Sequence, residues 1–543
     1  MLGLMQDWPL RTSTIIDHAA RYHTDRPLTG RSIEGPIVSS TWAEVHLRAR
    51  KVTQAVRRLG IRPGEVVGAM AWNTIRHMEI WYGVPGAGGV LHTLNPRLSG
   101  EQLTFIINHA EDAWIFVDHD LVKVLEAVAA DLPAVKGYVV MTDRAHMPET
   151  SLPNVLCYEE LLAAEDGDAG WEPVEEGWAC GICYTSGTTG NPKGVVYSHR
   201  SNVLHAMAMI QPDMFALSSN DTLMPVVPLF HANGWSTAYA GPMAGASMVM
   251  PGRLMDPASL WEMLDLGVTC TAAVPTIWLP LLAYLKETGK MLPHLDRVVI
   301  GGSSCPRAVI EAFQNIYDVR VLHAWGMTET SPLGSFCTFK PEVAKLPPDE
   351  QIEIQLKVGH PPFTVDLEIR DDDNQPLPWD DETQGRLLIR GPGVVGEYLK
   401  EGAPAIDAEG WFDTGDAATM DRHGYVRITD RFKDVIKSGG EWISSIEMEN
   451  AALSHPEVFE AAAVAMPHPK WDERPVLIVV PHPGKSPDPG EIVDRIRPHF
   501  AKWQLPDEVL FRDEIPHTAT GKISKLKLRQ MLNDEGYALP DQR

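Results

Sequence analysis

The chain has 543 residues, 44% of them hydrophobic and 22% charged, with 47 Lys and Arg against 72 Asp and Glu. Single hydrophobic cores stop growing at roughly 250–300 residues, so at least two domains are expected, and the composition excludes a fibrous or disordered chain. A net charge of −25 argues against nucleic acid as a partner, because that polyanion is met with excess positive charge. No stretch reaches the ~18 uninterrupted apolar residues of a spanning helix. The start, MLGLMQDWPLRTS, has no basic segment, and its apolar run ends at Gln6-Asp7, so a signal peptide is not expected. Six cysteines do not make a disulfide framework, and a reducing cytoplasm is the expected location.

In chain order, Val45, Ala49, Val52, Val56 and Leu59 fall on one face of a helix over Thr41–Gly60. Thr41 and Glu44 match a capping box there, and Gly60 suits the C-terminal end. Strand-like VVGAMAW and GGVLHTL follow, then WIFVD, YVVMT, WACGICYTS, TLMPVV, ASMVMP, CTAAVP and RVVIGG, with helix-like segments between them. Such alternation predicts an α/β fold of mainly parallel sheets covered by helices. From about residue 380 short strands with Gly and Asp turns take over, as in GRLLIRGPGVV and YVRITD. After the charged segment at 430–442 comes a last unit of about 100 residues, with helix-like SIEMENAALS and EIVDRIRPHF around strand-like FEAAAVAM and PVLIVVP. It is long enough to be a small α+β domain.

Cys180 and Cys183 have the C-x-x-C spacing of redox and zinc sites, but no second pair stands at zinc-finger spacing. Within a strand, positions i and i+3 point to opposite faces, so two small core residues are expected. The run Tyr184-Thr-Ser-Gly-Thr-Thr-Gly-Asn-Pro-Lys-Gly194 carries a stronger signal. Gly187, Gly190 and Gly194 let the backbone turn tightly and present N–H groups to an anion. The hydroxyls of Thr185, Ser186, Thr188 and Thr189 add donors and Lys193 adds a positive charge, a set suited to polyphosphate. It is not a Walker A loop, because Gly194 rather than Ser or Thr follows the lysine.

This run resembles the phosphate loop of the adenylate-forming superfamily, which comprises acyl-CoA synthetases, luciferases and peptide-synthetase adenylation domains. Seven further segments stand in that superfamily's order: VPLFHANGW, GGSSCP, WGMTE, GRLLIRGPGVV, WFDTGD, DRFKDVIKSGGEW and TATGKISK. The resemblance implies a large N-terminal AMP-binding domain over 1–430, a hinge at 431–433 and a mobile C-terminal domain over 434–543. It implies ATP, Mg²⁺ and CoA as cofactors and a homodimer as the assembly. The substrate carboxylate supplies the nucleophile, so the protein has to position anions and stabilise negative charge.

Residue by residue, the resemblance implies a nucleotide site of Thr185–Gly190, Lys193, Gly301, Gly302, Ser303, His323, Ala324, Trp325, Gly326, Thr328, Asp416 and Arg431. Glu329 and Thr185 would hold Mg²⁺, which needs one or two protein oxygens beside phosphate and water. Asp416 would accept both ribose hydroxyls. Many relatives carry Tyr where Trp325 stands, and Gly where Asp430 precedes Arg431. Lys522 matches the lysine that reaches the α-phosphate during adenylation, and Lys433 matches the hinge position. Lys437 and Gly439-Gly440-Glu441-Trp442 belong to the face expected beside CoA after domain rotation. His231 is a further catalytic candidate.

The matching stretch has His231 and Trp235 where amino-acid-activating relatives hold an ammonium with Asp, which points to an uncharged acyl tail. Trp235, Gly302, Trp325 and Pro332 are the expected acyl-site residues. The motifs look most similar to medium- and long-chain fatty acyl-CoA synthetases and to bacterial 3-(methylthio)propionate-CoA ligases. An acyl-AMP ligase without CoA transfer, a luciferase-like oxygenase and a non-catalytic binding protein of this fold are the alternatives. The joint presence of Lys522, Glu329 and Asp416 argues against the last of these.

Overall fold

The computed structural model describes residues 1, 3–185, 191–432, 434–438, 441–517 and 522–540. Ser186, Gly187, Thr188, Thr189, Gly190, Lys433, Gly439 and Gly440, and the side chains of Glu441 and Trp442, lie outside what is described. Among the described residues the strands form four sheets.

One sheet has seven strands, in the order Val155–Cys157, Gly137–Val140, Trp114–Val117, Val66–Met70, Val90–Thr93, Ala179–Thr185 and Lys193–Ser198. Every pairing is parallel except the last, a hairpin. Strands buried on both faces read as near-continuous apolar runs, which is why Trp-Ile-Phe-Val and its like are visible in the sequence. A second sheet of eight strands is parallel through Arg320–Gly326, Arg297–Ile300, Cys270–Ala273, Thr222–Pro225, Ser247–Met250 and Pro27–Arg31. Antiparallel Leu333–Phe336 and Ile37–Thr41 close its two edges.

Helices cover the sheets as the alternation predicts. Trp42–Arg58 begins at Thr41 with the reciprocal capping box to Glu44 in place. Its buried Trp42, Val45, Ala49, Val52 and Val56 face the core. Helix Ile75–Gly86 comes close against it at Gly83, where an added Cβ would stand 2.4 Å from Val52 Cβ. Cys180 and Cys183 are free and buried, the first against Asn202 and the second against Thr93. Burial pushes both thiols up, which suits inert core residues.

The strand-rich region is an antiparallel sheet of Asp366–Arg370, Gly385–Arg390, Phe412–Met420 and Val426–Arg431. The last sheet joins Glu441–Ile443, Ile436–Ser438, Asp472–Pro481 and Val458–His468, with Glu508–Phe511 pairing onto Asp472–Pro481. One segment gains an element that was not assigned to it, and two readings need correction. The charged 430–442 segment holds the hairpin Ile436–Ser438 with Glu441–Ile443. Helix Pro489–Ile496 stops short of Phe500 because Pro498 lacks an N–H and disfavours helix at Arg497. GRLLIRGPGVV is a strand only to Arg390, since Gly391 has φ +157° and Pro392 cannot donate. No helix among the described residues is long and apolar enough to cross a membrane.

Candidate active site

A cavity of about 360 Å³ opens at the C-terminal ends of strands Arg297–Ile300 and Arg320–Gly326. This is where open parallel sheets place their ligands. Gly302 and Ser303 form one wall, and His323, Ala324, Trp325 and Gly326 another. Asp416 and Arg431 enter from the strand-rich sheet, and Lys522 from the segment before the last helix, Lys525–Asp534. Glycine is required in the first wall. An added Cβ would meet the Ala324 carbonyl at 2.7 Å from Gly301 and Val274 Cγ1 at 2.9 Å from Gly302, which also has φ +80°. At Gly326 it would run into the Pro332 carbonyl at 1.8 Å, so Pro332 serves the backbone here, accepting also from Met327 N–H at 2.8 Å.

Asp416 is buried, and each of its oxygens has a partner: Oδ1 pairs with Arg431 Nε at 2.8 Å, and Oδ2 accepts from Trp325 Nε1 at 2.9 Å. Burial pushes this carboxyl up, while Arg431 and Trp325 pull it back. A carboxylate accepts about four hydrogen bonds, so acceptor capacity remains for a ligand. Trp325 thus does more than offer a flat face. Gly334 makes room for it, since a Cβ there would stand 2.6 Å from the indole.

Glu329 sits in the turn Thr328–Thr330, 5% exposed. Its Oε1 accepts from Tyr398 Oη at 2.9 Å, whereas Oε2 is buried with no hydrogen-bond partner among the described residues. Burial raises its pKa, and Tyr398, Arg431 and Lys522 offset part of that rise. A bare buried carboxylate oxygen is costly unless something completes it, and a hard cation fits. Thr185 and Lys193 face each other in register at the loop end of their hairpin. Tyr197 Oη donates to the Thr328 carbonyl at 2.7 Å and fastens the hairpin to the Glu329 turn. Lys193 Nζ lies 4.7 Å from the centre of the Tyr398 ring. Among the described residues no three His, Cys, Asp or Glu side chains gather as a metal cluster.

Lys522 lowers its pKa to about 8, chiefly by burial and then by Arg431, against the attraction of Asp416 and Glu329. In the same cavity lining, polar contacts join the strand that ends at Arg431 to the C-terminal unit. Asp430 accepts from Ser445 N–H at 2.7 Å and Ser445 Oγ at 2.5 Å, and Lys525 pairs with Glu449 at 2.7 Å. Burial works against the Lys525 charge, but Glu449 and Asp430 outweigh it. The aspartate that replaces a common glycine therefore joins strand Val426–Arg431 to helix Ser445–Leu453.

Trp235 is buried on the far side of the glycine wall, its indole 3.2 Å from a Cβ built on Gly301 and 3.6 Å from one on Gly302. It is aimed there by a left-handed turn, Ala232 to Ser236, with φ between 45° and 63°. Left-handed backbone costs about 1–2 kcal/mol per non-glycine residue, and strain of this kind collects at functional sites. Asn233 Nδ2 to Asn202 Oδ1 at 3.0 Å and Thr237 Oγ1 to the Gly234 carbonyl at 2.5 Å hold it. Burial, with Lys522 and Arg97, lowers His231 to about 4, so its imidazole is neutral at pH 7. Lys437 is exposed, its N–H bound to Glu473 at 2.8 Å, and it does not line the cavity.

A family model for AMP-binding enzymes matches residues 16–399, and one for their C-terminal domain matches 447–522. The chain belongs to the AMP-binding enzyme family. Among AMP-binding enzymes it is 44% identical to a medium-chain-fatty-acid–CoA ligase of Ectopseudomonas oleovorans, over 98% of each chain. It is 45% identical to a 3-methylmercaptopropionyl-CoA ligase of Ruegeria lacuscaerulensis, over 98% of this chain and 99% of that one. In fold it resembles an anthranilate CoA ligase solved with anthranoyl-AMP, with TM-score 0.87 and 22% identity over 98% of this chain and 100% of the other.

Tyr398, Asp430, Ser445 and Lys525 escaped the sequence as site residues. Tyr398 follows GRLLIRGPGVV by three positions with no spacing that marks it. Asp430 stood out only as a departure from a common glycine.

Proposed function

We propose that this AMP-binding enzyme is an ATP-dependent acyl-CoA ligase acting on a short or medium-chain carboxylic acid, 3-(methylthio)propionate among them. The observation that carries this reading is the convergence of Lys522, from the C-terminal unit, with Asp416, Arg431 and Trp325 in one cavity. In the first half-reaction a carboxylate oxygen bonds to the α-phosphorus of ATP, the bond to the bridging oxygen breaks, and pyrophosphate leaves. Lys522 neutralises the charge gathering on the α-phosphate oxygens. Asp416 accepts the ribose hydroxyls, its carboxylate oriented by Trp325 and Arg431. Glu329 and Thr185 would hold Mg²⁺, which would neutralise charge on the phosphates. In the second half-reaction the CoA sulfur bonds to the acyl carbon, its proton passes to solvent, the acyl carbon–oxygen bond breaks and AMP leaves with that oxygen. Lys437, on the exposed face of the C-terminal unit, belongs to that step after a rotation about Lys433.

The relatives' substrates support an uncharged tail, and Trp235 behind Gly302 supports a short one. The same reading includes a homodimer in the cytoplasm, and six free, buried cysteines suit a reducing compartment. Acyl-CoA formation measured over straight-chain acids of increasing length and 3-(methylthio)propionate tests the proposal. Acyl-CoA from short or medium acids is expected, and an adenylate that CoA never consumes would overturn it.

Two variants test the roles of the tryptophans. Trp235→Ala should raise kcat/KM for longer acids relative to short ones by about tenfold or more, since each methylene buried is worth about 1–3 kcal/mol. An unchanged profile would remove Trp235 from the acyl site. Trp325→Phe keeps the flat face and loses the N–H to Asp416. Hydrogen bonds to charged groups contribute about 1.5–3 kcal/mol, so KM for ATP should rise roughly tenfold with little change in kcat. Equal KM values would mean that Arg431 alone orients the carboxylate.

A further inference from the structure

The segment Gly391–Lys400 runs beside the loop end of the phosphate-loop hairpin and is pinned at several points. Val395 N–H donates to the Glu329 carbonyl at 2.8 Å, and Ser331 Oγ donates to the Gly393 carbonyl at 2.7 Å. Leu399 N–H donates to the Gly194 carbonyl at 2.9 Å, and Lys400 Nζ donates to the His109 carbonyl at 2.8 Å. The approach is close: a Cβ on Gly194 would stand 3.1 Å from Leu399 Cβ. This strap delivers one aromatic side chain to two charged groups at once. Tyr398 Oη reaches Glu329 Oε1 at 2.9 Å while its ring face lies under Lys193 Nζ at 4.7 Å.

We propose that Tyr398 is a positioning residue for the nucleotide–metal site: its hydroxyl occupies one oxygen of Glu329 so that the other is presented to the metal, and its ring holds the Lys193 ammonium toward the phosphates. The inference rests on the reading of Glu329 as the acid that holds Mg²⁺. Three features carry it. The two oxygens of Glu329 are unequal: Oε1 is bonded, and Oε2 is buried and bare among the described residues. At 2.9 Å the phenol O–H is the donor and the Glu329 carboxylate the acceptor, so one oxygen is tied to the strap and kept from turning. A cation over a tyrosine ring gains about 0.5–2 kcal/mol, enough to bias a flexible lysine toward one orientation.

The experiment measures Mn²⁺ binding by electron paramagnetic resonance to the full chain with an unreactive ATP analogue, α,β-methylene-ATP. Groups that orient a metal ligand commonly change metal affinity 10–100-fold when removed, so Tyr398→Phe should weaken Mn²⁺ binding about tenfold. Its metal-free affinity for the analogue should stay at the wild-type value, because the ring is kept. Tyr398→Leu should in addition weaken metal-free analogue binding, through Lys193. In a Glu329→Gln background Tyr398→Phe should have no further effect on Mn²⁺. Unchanged Mn²⁺ affinity in Tyr398→Phe, or full additivity with Glu329→Gln, would overturn the proposal. A wild-type chain that binds the analogue equally with and without Mn²⁺ would instead overturn the reading of Glu329.

Discussion

Lys522→Ala is expected to lower acyl-adenylate formation by about 10²–10³-fold, the usual cost of removing one preorganised donor to a developing negative charge. Thioester formation from supplied acyl-AMP and CoA should stay within about twofold of wild type, because the proposed rotation about Lys433 carries Lys522 away from the phosphate before AMP leaves. Pyrophosphate exchange measures the first half-reaction and thioester formation the second. Equal losses in both would mean that Lys522 holds the fold or the domain arrangement. The lysine also predicts a pH dependence. Its pKa is lowered to about 8, and the ammonium is the active form. kcat/KM for ATP in adenylation should therefore fall as pH rises through about 8, since that ratio reports the free enzyme. Lys522→Arg stays charged and should move this decline to higher pH.

Glu329→Gln should separate activity from stability. The carboxyl is buried and its pKa is raised by that burial, so the neutral amide removes a desolvation cost. Melting temperature should hold or rise. Adenylation should fall by about 10–100-fold, with a higher Mg²⁺ requirement, since a metal ligand has become a weaker one. A melting temperature that drops along with the activity would assign Glu329 to the fold.

Much of this architecture was legible because buried parallel strands have a pattern of their own. Val66–Met70, Trp114–Val117 and Arg297–Ile300 are short apolar runs between helices, and their order implied the α/β class. The hairpin Ile436–Ser438 with Glu441–Ile443 was not legible, because charged residues mask strands of three residues. The motifs named Glu329, Asp416 and Lys522, which the fold gathers from distant parts of the chain. What they could not name is what holds those groups in place. The partners of Glu329 and Asp416 are Tyr398, 69 residues away, and Trp325, 91 residues away. No local period links such pairs.

Trp235 is a case between these. Its identity was readable, but its direction depends on a left-handed turn in which only Gly234 is a glycine. Side chains that tolerate φ > 0 poorly give no hint of it. The Asn233–Asn202 contact that helps hold the turn joins a loop to helix His199–Met209.

The central claim, that the acid itself attacks the α-phosphate and that CoA then displaces AMP, is tested most directly by oxygen transfer. The chain is incubated with ATP, CoA and a short acid labelled with ¹⁸O in both carboxylate oxygens, and the products are weighed by mass spectrometry. One ¹⁸O per AMP, with none in pyrophosphate, is the predicted result. Label in inorganic phosphate or pyrophosphate, or unlabelled AMP beside acyl-CoA, would contradict it.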